Sequence, residues 1–490
     1  MHGLRFINII LVIIGCLVIL NGCGEKSITK YVKDTDSVES QEDAGDEAES
    51  EKDSELEEMK AVLHENPKAV SENVDMWIPL VLNHCNSDLI GGHSIDEGFL
   101  YWYISEYGED ALTPITEEVL KDTQDPEVWY QTCGQSIHVL WNKYCECTGI
   151  EGYELENVEY KETASGDETV ISFTGDINLG ENMNTVEYMD LMENGIFDCL
   201  SEELVNLMTG SDIMMINNEF PYSTRGEPIP GKAYTFRADP TRVEVLNDLG
   251  VDIVSLANNH MCDYGDDAII DTIDTLDNAG IAHVGAGKNI EEATEPYYYI
   301  CNGRKISIVA ATQIERTYNY TREATETTPG VLKTLNPSKF VEVIKNAKAN
   351  SDICIVFVHW GTEGVYTYES DQVALAEAFV DAGADVIIGG HTHCLQGISY
   401  IEDVPIIYSL GNFWFSSTST DGVARKETGV SQVKIKSDGS IDFLFLPCVQ
   451  QDCKTYLVTD ADEKQSIIDW MNAHSGIAHI DSDGLVSKLE

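Results

Sequence analysis

The sequence predicts an α/β protein, and three observations carry that prediction. From Thr169 onward, short runs rich in Val, Ile and Phe alternate with helix-length segments, as layered α/β domains require. Each of these runs ends in a cluster of polar residues. The chain has 490 residues, 43% of them hydrophobic and 23% charged, which is length and apolar content enough for a large core. The same composition argues against two classes of partner. With 85 Asp+Glu against 30 Lys+Arg the formal charge is −55, so no basic face is available to displace counterions from nucleic acid or to hold anionic lipid.

The first element is an address. Arg5 precedes an apolar run over residues 6–20, interrupted by Asn8 and Gly15, that closes on Leu20-Asn21-Gly22-Cys23. Such a run is too short to span a bilayer and suits the apolar core of a secretory signal. The closing four residues resemble a bacterial lipobox. That resemblance implies a lipoprotein signal peptide over 1–22, lipidation of Cys23 and residence at the extracytoplasmic face of the cell membrane. An ordinary signal peptide or an uncleaved anchor is the alternative, and either exports the chain. Residues 23–58 then read as an acidic, disordered tether: 34–58 carries thirteen acidic residues with Lys52 the only basic one, so it repels itself and has little to bury.

Residues 59–165 read as a helical accessory region. Apolar runs lie at 76–82 and 99–104, and Ile137, Leu140 and Trp141 recur at helical spacing. The region is dense in aromatic residues, among them Trp77, Trp102, Trp129, Trp141 and Tyr144. These suit either a glycan- or peptide-holding face or a packed core, and the helical spacing favours the core. The thirteen cysteines are scattered. Removing Cys16 with the signal and Cys23 by lipidation leaves an odd number, and Cys145-x-Cys147 is too tight for a zinc knuckle. None is assigned a ligand role.

The α/β domain is expected over 166–450. Its first strand runs into Gly175-Asp176-Ile177-Asn178, its second into Asn217-Asn218-Glu219 and its third into Asn258-Asn259-His260. Further on, 353–358 ends in His359-Trp360-Gly361, and 385–388 in Gly389-Gly390-His391-Thr392-His393. In open α/β sheets ligands gather beyond the carboxyl ends of strands. Five strand ends that offer Asp, Glu, Asn, His and a His-x-His pair therefore point to one or two divalent ions, held by oxygen and imidazole donors without thiolate. Asn302-Gly303 reads as a hairpin turn, 431–446 as a closing hairpin, and 451–490 as a C-terminal extension with a helix near 463–473.

Those motifs resemble a known family. Gly175-Asp176-Ile177-Asn178-Leu179-Gly180, Ser255-Leu256-Ala257-Asn258-Asn259-His260 with Asp263-Tyr264-Gly265, Val358-His359-Trp360-Gly361, Gly390-His391-Thr392-His393 and Tyr408-Ser409-Leu410-Gly411-Asn412-Phe413 are similar to the CapA-type poly-γ-glutamate capsule synthesis proteins, over about residues 168–415. That family is itself similar to calcineurin-like metallophosphoesterases. The resemblance implies a two-sheet αββα sandwich of metallophosphoesterase type. It implies that Asp176 and His393 hold one ion, Asn259, His359 and His391 the other, with Glu219 bridging, and that His260 is the general acid or transition-state donor. Where the phosphoesterases place His two residues after the first Asp, this chain has Asn178, a further candidate ligand that offers only a neutral amide oxygen. Arg237 is the candidate for fixing an anionic substrate group, with a structural ion pair as the equal alternative. Glu363 and Gln396, just past ligand motifs, are candidates for orienting the imidazoles.

The implied function is a metal-dependent site, with Mn, Fe, Zn or Mg as the ion, that serves poly-γ-glutamate capsule synthesis or export. Its partners would be the anionic polymer or its precursor, the membrane through the lipid anchor and a capsule synthase complex. Two alternatives stand beside it: a non-catalytic, metal-dependent polymer-binding or assembly component, and a general extracytoplasmic metallophosphoesterase.

Overall fold

The structure, a computed structural model, describes residues 157–315, 320–415 and 426–489, together with 99, 102–103, 106–119 and 125–148. The expected signal peptide, Cys23, the tether and much of the accessory region lie outside the described residues. The chain divides into two compact units, one reaching to Glu156 with Gly303–Lys305, the other comprising Asn157–Asn302 and Ile306–Glu490.

In the first unit the described helices are Leu112–Val119, Glu127–Cys133 and Ile137–Thr148. Phe99 packs against Trp102, Trp129, Trp141 and Tyr144 with ring centroids 5.4–5.8 Å apart. All five rings are buried. They form a core, and none offers the exposed face that a glycan would stack on.

The second unit is a mixed α/β domain with two main sheets. In chain order its strands are β1 (Val158–Tyr160), β2 (Glu168–Ile177), β3 (Ile213–Asn218), β4 (Ile253–Ser255), β5 (Ala282–Val284), β6 (Ala286–Gly287), β7 (Tyr297–Cys301), β8 (Arg304–Thr312), β9 (Gly330–Val331), β10 (Ile353–His359), β11 (Val386–Gly390), β12 (Leu395–Ile401), β13 (Val404–Leu410), β14 (Asn412–Trp414), β15 (Glu427–Lys436), β16 (Ile441–Gln451), β17 (Lys454–Leu457), β18 (Ala478–Ile480) and β19 (Leu485–Lys488). One sheet has the order β1-β7-β8-β10-β11-β13-β12, and the other β18-β19-β16-β15-β2-β3-β4-β5 with β14 on β2 and β17 on β16. β6 and β9 form a small separate pair.

Each sheet has a parallel centre: β8-β10-β11-β13 in one, β2-β3-β4-β5 in the other. Parallel strands need crossover connections; helices supply them except between β11 and β13, where β12 intervenes. That is why β3 and β10 are buried at every residue, covered on both faces. Ile171 and Phe173 of β2 share one apolar layer with Ile306, Ile308, Ile355 and Phe357 of the opposite sheet. Helices Ser338–Ala349 and Ser370–Asp381 cover the outer face of the first sheet through Phe340, Ile344 and Phe379. Helices Glu202–Thr209 and Asp266–Ala279 cover the second through Leu204, Met208, Ile269 and Ile273. Fully burying one such side chain stabilises the fold by roughly 1.5–3 kcal/mol, so this layering dominates the energetics.

Helix ends follow local chemistry. Ser201 accepts from the Leu204 amide at the start of Glu202–Thr209. Asp266–Ala279 opens with two acids and stops at Gly280, whose φ is 72°. The hairpin read around Ser437-Asp438-Gly439 is β15–β16. The C-terminal helix is Ala461–His474, and β17, β18 and β19 extend the second sheet. Among the described residues no helix is long and apolar enough to cross a membrane.

One close approach prepares the site. Asp176 donates its amide to the Gly411 carbonyl at 2.9 Å, where β14 joins β2. A Cβ on Gly175 would lie 1.9 Å from that same oxygen, so only glycine lets the two segments meet.

Candidate metal centre

The carboxyl ends of β2, β3, β4, β10 and β11 bring Asp176, Glu219, Asn259, His359, His391 and His393 together. Two groups of ligand atoms result: Asp176, Glu219 and His393, and Glu219, His359 and His391, each lying within 4.8 Å of one another. Glu219 belongs to both. We call the Asp176–His393 side the first position and the His359–His391 side the second.

At the second position three atoms converge on His359 Nε2: Asn259 Oδ1 at 2.7 Å, His391 Nδ1 at 3.0 Å and Glu219 Oε1 at 3.5 Å. At the first, Asp176 Oδ2 lies 3.5 Å from His393 Nδ1. Glu219 is fully buried and, among the described residues, neither of its carboxylate oxygens has a hydrogen-bond partner. A buried carboxylate left so is costly unless it meets a cation. The two groups of ligand atoms therefore fit one or two divalent ions, and their oxygen and imidazole character suits hard or borderline metals. None of the nine cysteines whose side chains are described belongs to either group.

Asn178 is buried beside the first position but faces away from a ligand role. Its Oδ1 accepts from the Gly180 amide at 2.8 Å and its Nδ2 donates to the Glu219 carbonyl at 3.4 Å. It holds the turn after β2.

The His-x-His turn is conformationally unusual. His391 has φ 92° and His393 φ 56°, a left-handed backbone that costs a non-glycine residue roughly 1–3 kcal/mol. The surroundings hold it: the His391 amide donates to Asp176 Oδ2 at 3.2 Å, and the Thr392 hydroxyl donates to the Cys394 carbonyl at 2.9 Å.

The electrostatics of the group are strongly coupled. Burial, and then the charge of Asp176, push the Glu219 carboxyl well above its ordinary range. Burial works on Asp176 in the same direction, yet the hydrogen bond from His393, the charge of that ring and the Asn217 amide hold it below. Burial drives His359 down to about 3, so its imidazole is neutral and ligand-competent. His393 is opposed by burial but raised by its hydrogen bond to Asp176. Burial also lowers His260, against the pull of Asp263.

His260 stands beside the ligands, its Nε2 4.0 Å from Glu219 Oε1. Its Nδ1 lies 2.7 Å from Asp263 Oδ2, and its ring packs on Phe236 at 4.3 Å between centroids. A carboxylate only accepts, so Asp263 selects the tautomer with the proton on Nδ1 and leaves Nε2 toward the centre.

Among the described residues Arg237 makes no ion pair. It donates to the Arg225 and Gly226 carbonyls at 3.2 and 3.4 Å, stacks 4.3 Å from the Tyr264 ring centroid, and keeps a buried Nε without a partner. The other four described arginines all pair with acids. Gln396 accepts from Gln372 and donates to the Val365 carbonyl, each at 2.8 Å; it fastens a loop rather than an imidazole. Glu363 is exposed and bears on the site through its charge, which raises both Glu219 and His393.

Sequence reasoning missed several partners. Asn217 donates to Asp176 Oδ1 at 2.7 Å and lies 3.2 Å from His359 Nδ1. Asn258 steadies Asn217 at 3.2 Å. Asn412 Oδ1 sits 2.7 Å from His393 Nδ1. Lys232 is a buried ammonium bonded to Asp263 at 2.7 Å and to the Asn259 carbonyl. The motifs containing Asn217, Asn258 and Asn412 were visible as strand ends. Lys232 lies in an irregular stretch with no pattern to mark it.

Comparison with known proteins identifies the family. The family described as bacterial capsule synthesis protein PGA_cap matches residues 170–417. The PGA biosynthesis protein CapA of Bacillus subtilis (strain 168) is 30% identical over 329 residues, 66% of this chain and 82% of that protein. The capsule biosynthesis protein CapA of Bacillus anthracis is 29% identical over 304 residues, 61% of this chain and 71% of its own length. A probable polyglutamine synthesis accessory protein of Mycobacterium tuberculosis, Rv0574c, is 30% identical over 212 residues, 42% and 56% of the two chains. The matched span contains all six residues gathered at the two positions, and the chain belongs to the bacterial capsule synthesis family of CapA-like PGA biosynthesis proteins.

Proposed function

We propose that this protein serves poly-γ-glutamate capsule synthesis or export through a metal-dependent, phosphoesterase-type site, exported and held by a lipid on Cys23 at the outer face of the membrane. The observation that carries the metal reading is Glu219, fully buried between two groups of ligand atoms with no hydrogen-bond partner for either oxygen among the described residues. The capsule assignment is supported by the family, and the address by the lipobox-like residues 20–23.

In this reading Asp176 and His393 would hold one ion, Asn259, His359 and His391 the other, and Glu219 would be shared between them. Bound divalent ions supply Lewis acidity to the oxygens of a phosphoester and to water. The chain's own residues do the rest. Asp263 keeps the Nδ1 proton of His260 in place, so Nε2 is the atom that takes a proton from solvent and then gives it to the oxygen that departs from phosphorus. Arg237, held by Tyr264 and two carbonyls, presents its remaining donors to an anionic group of the polymer or its precursor. Phe236 covers one face of His260 and excludes water from it.

A second reading is favoured by one observation. The Asn178 amide oxygen is already taken by Gly180, which leaves the first position short of a donor. With one ion held, the domain grips polymer carboxylates without turnover.

Hydrolysis of bis(p-nitrophenyl) phosphate by the metal-loaded protein, beside Glu219→Gln, tests the choice. Metal-dependent turnover abolished by the substitution supports the enzyme. Metal-dependent retention of poly-γ-glutamate with no product supports the binding role.

A further inference from the structure

Lys232 is an unusual residue to find in this wall. Its side chain is 7% exposed. Burying an ammonium is costly, and a buried ion pair seldom stabilises a fold more than apolar residues of the same volume do. Its partners suggest a different reason for it to be there. Nζ donates to Asp263 Oδ1 at 2.7 Å and to the carbonyl of Asn259. That carbonyl belongs to the peptide unit joining Asn259 to His260, so any rotation of the unit swings both side chains. The other Asp263 oxygen accepts from His260 Nδ1 and from the Phe236 amide, each at 2.7 Å. Lys232 thus holds His260 twice, through the peptide before it and through the carboxylate on its ring.

The ammonium's charge is compensated. Asp263 is 1% exposed and directly bonded to it, and Glu315 Oε1 lies 3.7 Å from Nζ. Without these acids a fixed cation here would repel a divalent ion from Asn259. With them, the lysine contributes donors and geometry while the group as a whole carries no excess positive charge. Thr321 adds a second donor to the Asn259 carbonyl at 3.2 Å, so this one oxygen is clamped from two sides.

We propose that Lys232 is a positioning residue of the metal centre, setting the Asn259–His260 peptide so that the Asn259 amide meets the second position while the His260 ring faces Glu219. The inference rests on the proposed metal reading, since it assigns Lys232 its task at that site.

The test is calorimetric titration of Mn²⁺ into the protein carrying His393→Ala, which isolates the second position. Lys232→Met is expected to weaken that ion by about tenfold or more, the range typical of lost outer partners. Lys232→Arg, which keeps charge and donors, is expected to recover most of the loss. Methionine fills the same space, so a merely space-filling lysine would show no difference between the two variants. Equal binding by Lys232→Met and its parent overturns the inference while leaving the metal reading intact. No binding by the parent, and none by the wild type, overturns the metal reading and the inference with it. Should Lys232→Met fail to fold, Lys232→Gln, which loses the charge but stays polar, serves: a loss of about tenfold at the same position supports the inference, and unchanged affinity overturns it.

Discussion

The two halves of the centre share Glu219 but are built differently. At the second position His359 is fully buried, and an amide oxygen, an imidazole and a carboxylate close on its Nε2 within 3.5 Å. Clamps on the Asn259 carbonyl hold that geometry from behind. At the first position His393 is 16% exposed, its Nδ1 is shared with Asn412, and Asn178 has turned its oxygen to the backbone. A buried, clamped set of donors is preorganised, whereas an open set with fewer donors orders itself only as the ion arrives. The comparison predicts one tight and one exchangeable ion, which is where enzyme and binder part company.

The most severe break is at the shared residue. Glu219→Gln is expected to weaken both positions by more than about 100-fold, beyond the loss of an outer partner, as read by elemental analysis after gel filtration. Next come substitutions that separate the halves. His359→Ala should empty the second position and spare the first, and His393→Ala should do the reverse. Loss of both ions in either variant would show that the positions are not separable.

A substitution that strengthens is the more discriminating probe. Asn178→His places an imidazole where the first position lacks a donor and should tighten that ion about tenfold, about 1.4 kcal/mol, by competition with a chelator. If affinity instead falls, the bond from Asn178 to Gly180 matters more than the added ligand. A comparable effect is expected of pH. Burial and Asp176 raise the proton affinity of Glu219, and the hydrogen bond to Asp176 raises that of His393. An ion must displace those protons, so binding releases protons and weakens as pH falls. His359, down at about 3, adds nothing to this between pH 5 and 8. Calorimetry in buffers of different ionisation enthalpy should show the release; heats independent of the buffer would contradict it. The smallest effect is at the rim. Arg237→Gln should weaken polymer or phosphodiester binding about fivefold, near 1 kcal/mol, and leave metal content unchanged.

The sequence made the α/β class legible because buried parallel strands write themselves as β-rich runs with polar ends, and at those ends sit Asp176, Glu219, Asn259, His359, His391 and His393. What it hid has physical reasons. Asn217 lies within β3, where an amide reads as a strand residue until Asp176 and His359 are seen beside it. Asp263 was visible in a motif, but its bond to His260 depends on the turn between them. Lys232 reaches Asn259 and Asp263 across 27 and 31 residues from a stretch without periodicity, so only folding brings it there. β17, β18 and β19, three or four residues each, are too short to carry an alternation pattern and became legible only as partners of the strands they join.

The most direct test of the central claim, that Glu219 bridges two metal positions, is elemental analysis of the purified protein beside Glu219→Gln and His391→Ala after loading with Mn²⁺ or Zn²⁺. Up to two ions are expected in the wild type, none retained by Glu219→Gln, and loss confined to the second position in His391→Ala. Metal retained undiminished by Glu219→Gln, or none in the wild type under any loading, would contradict it.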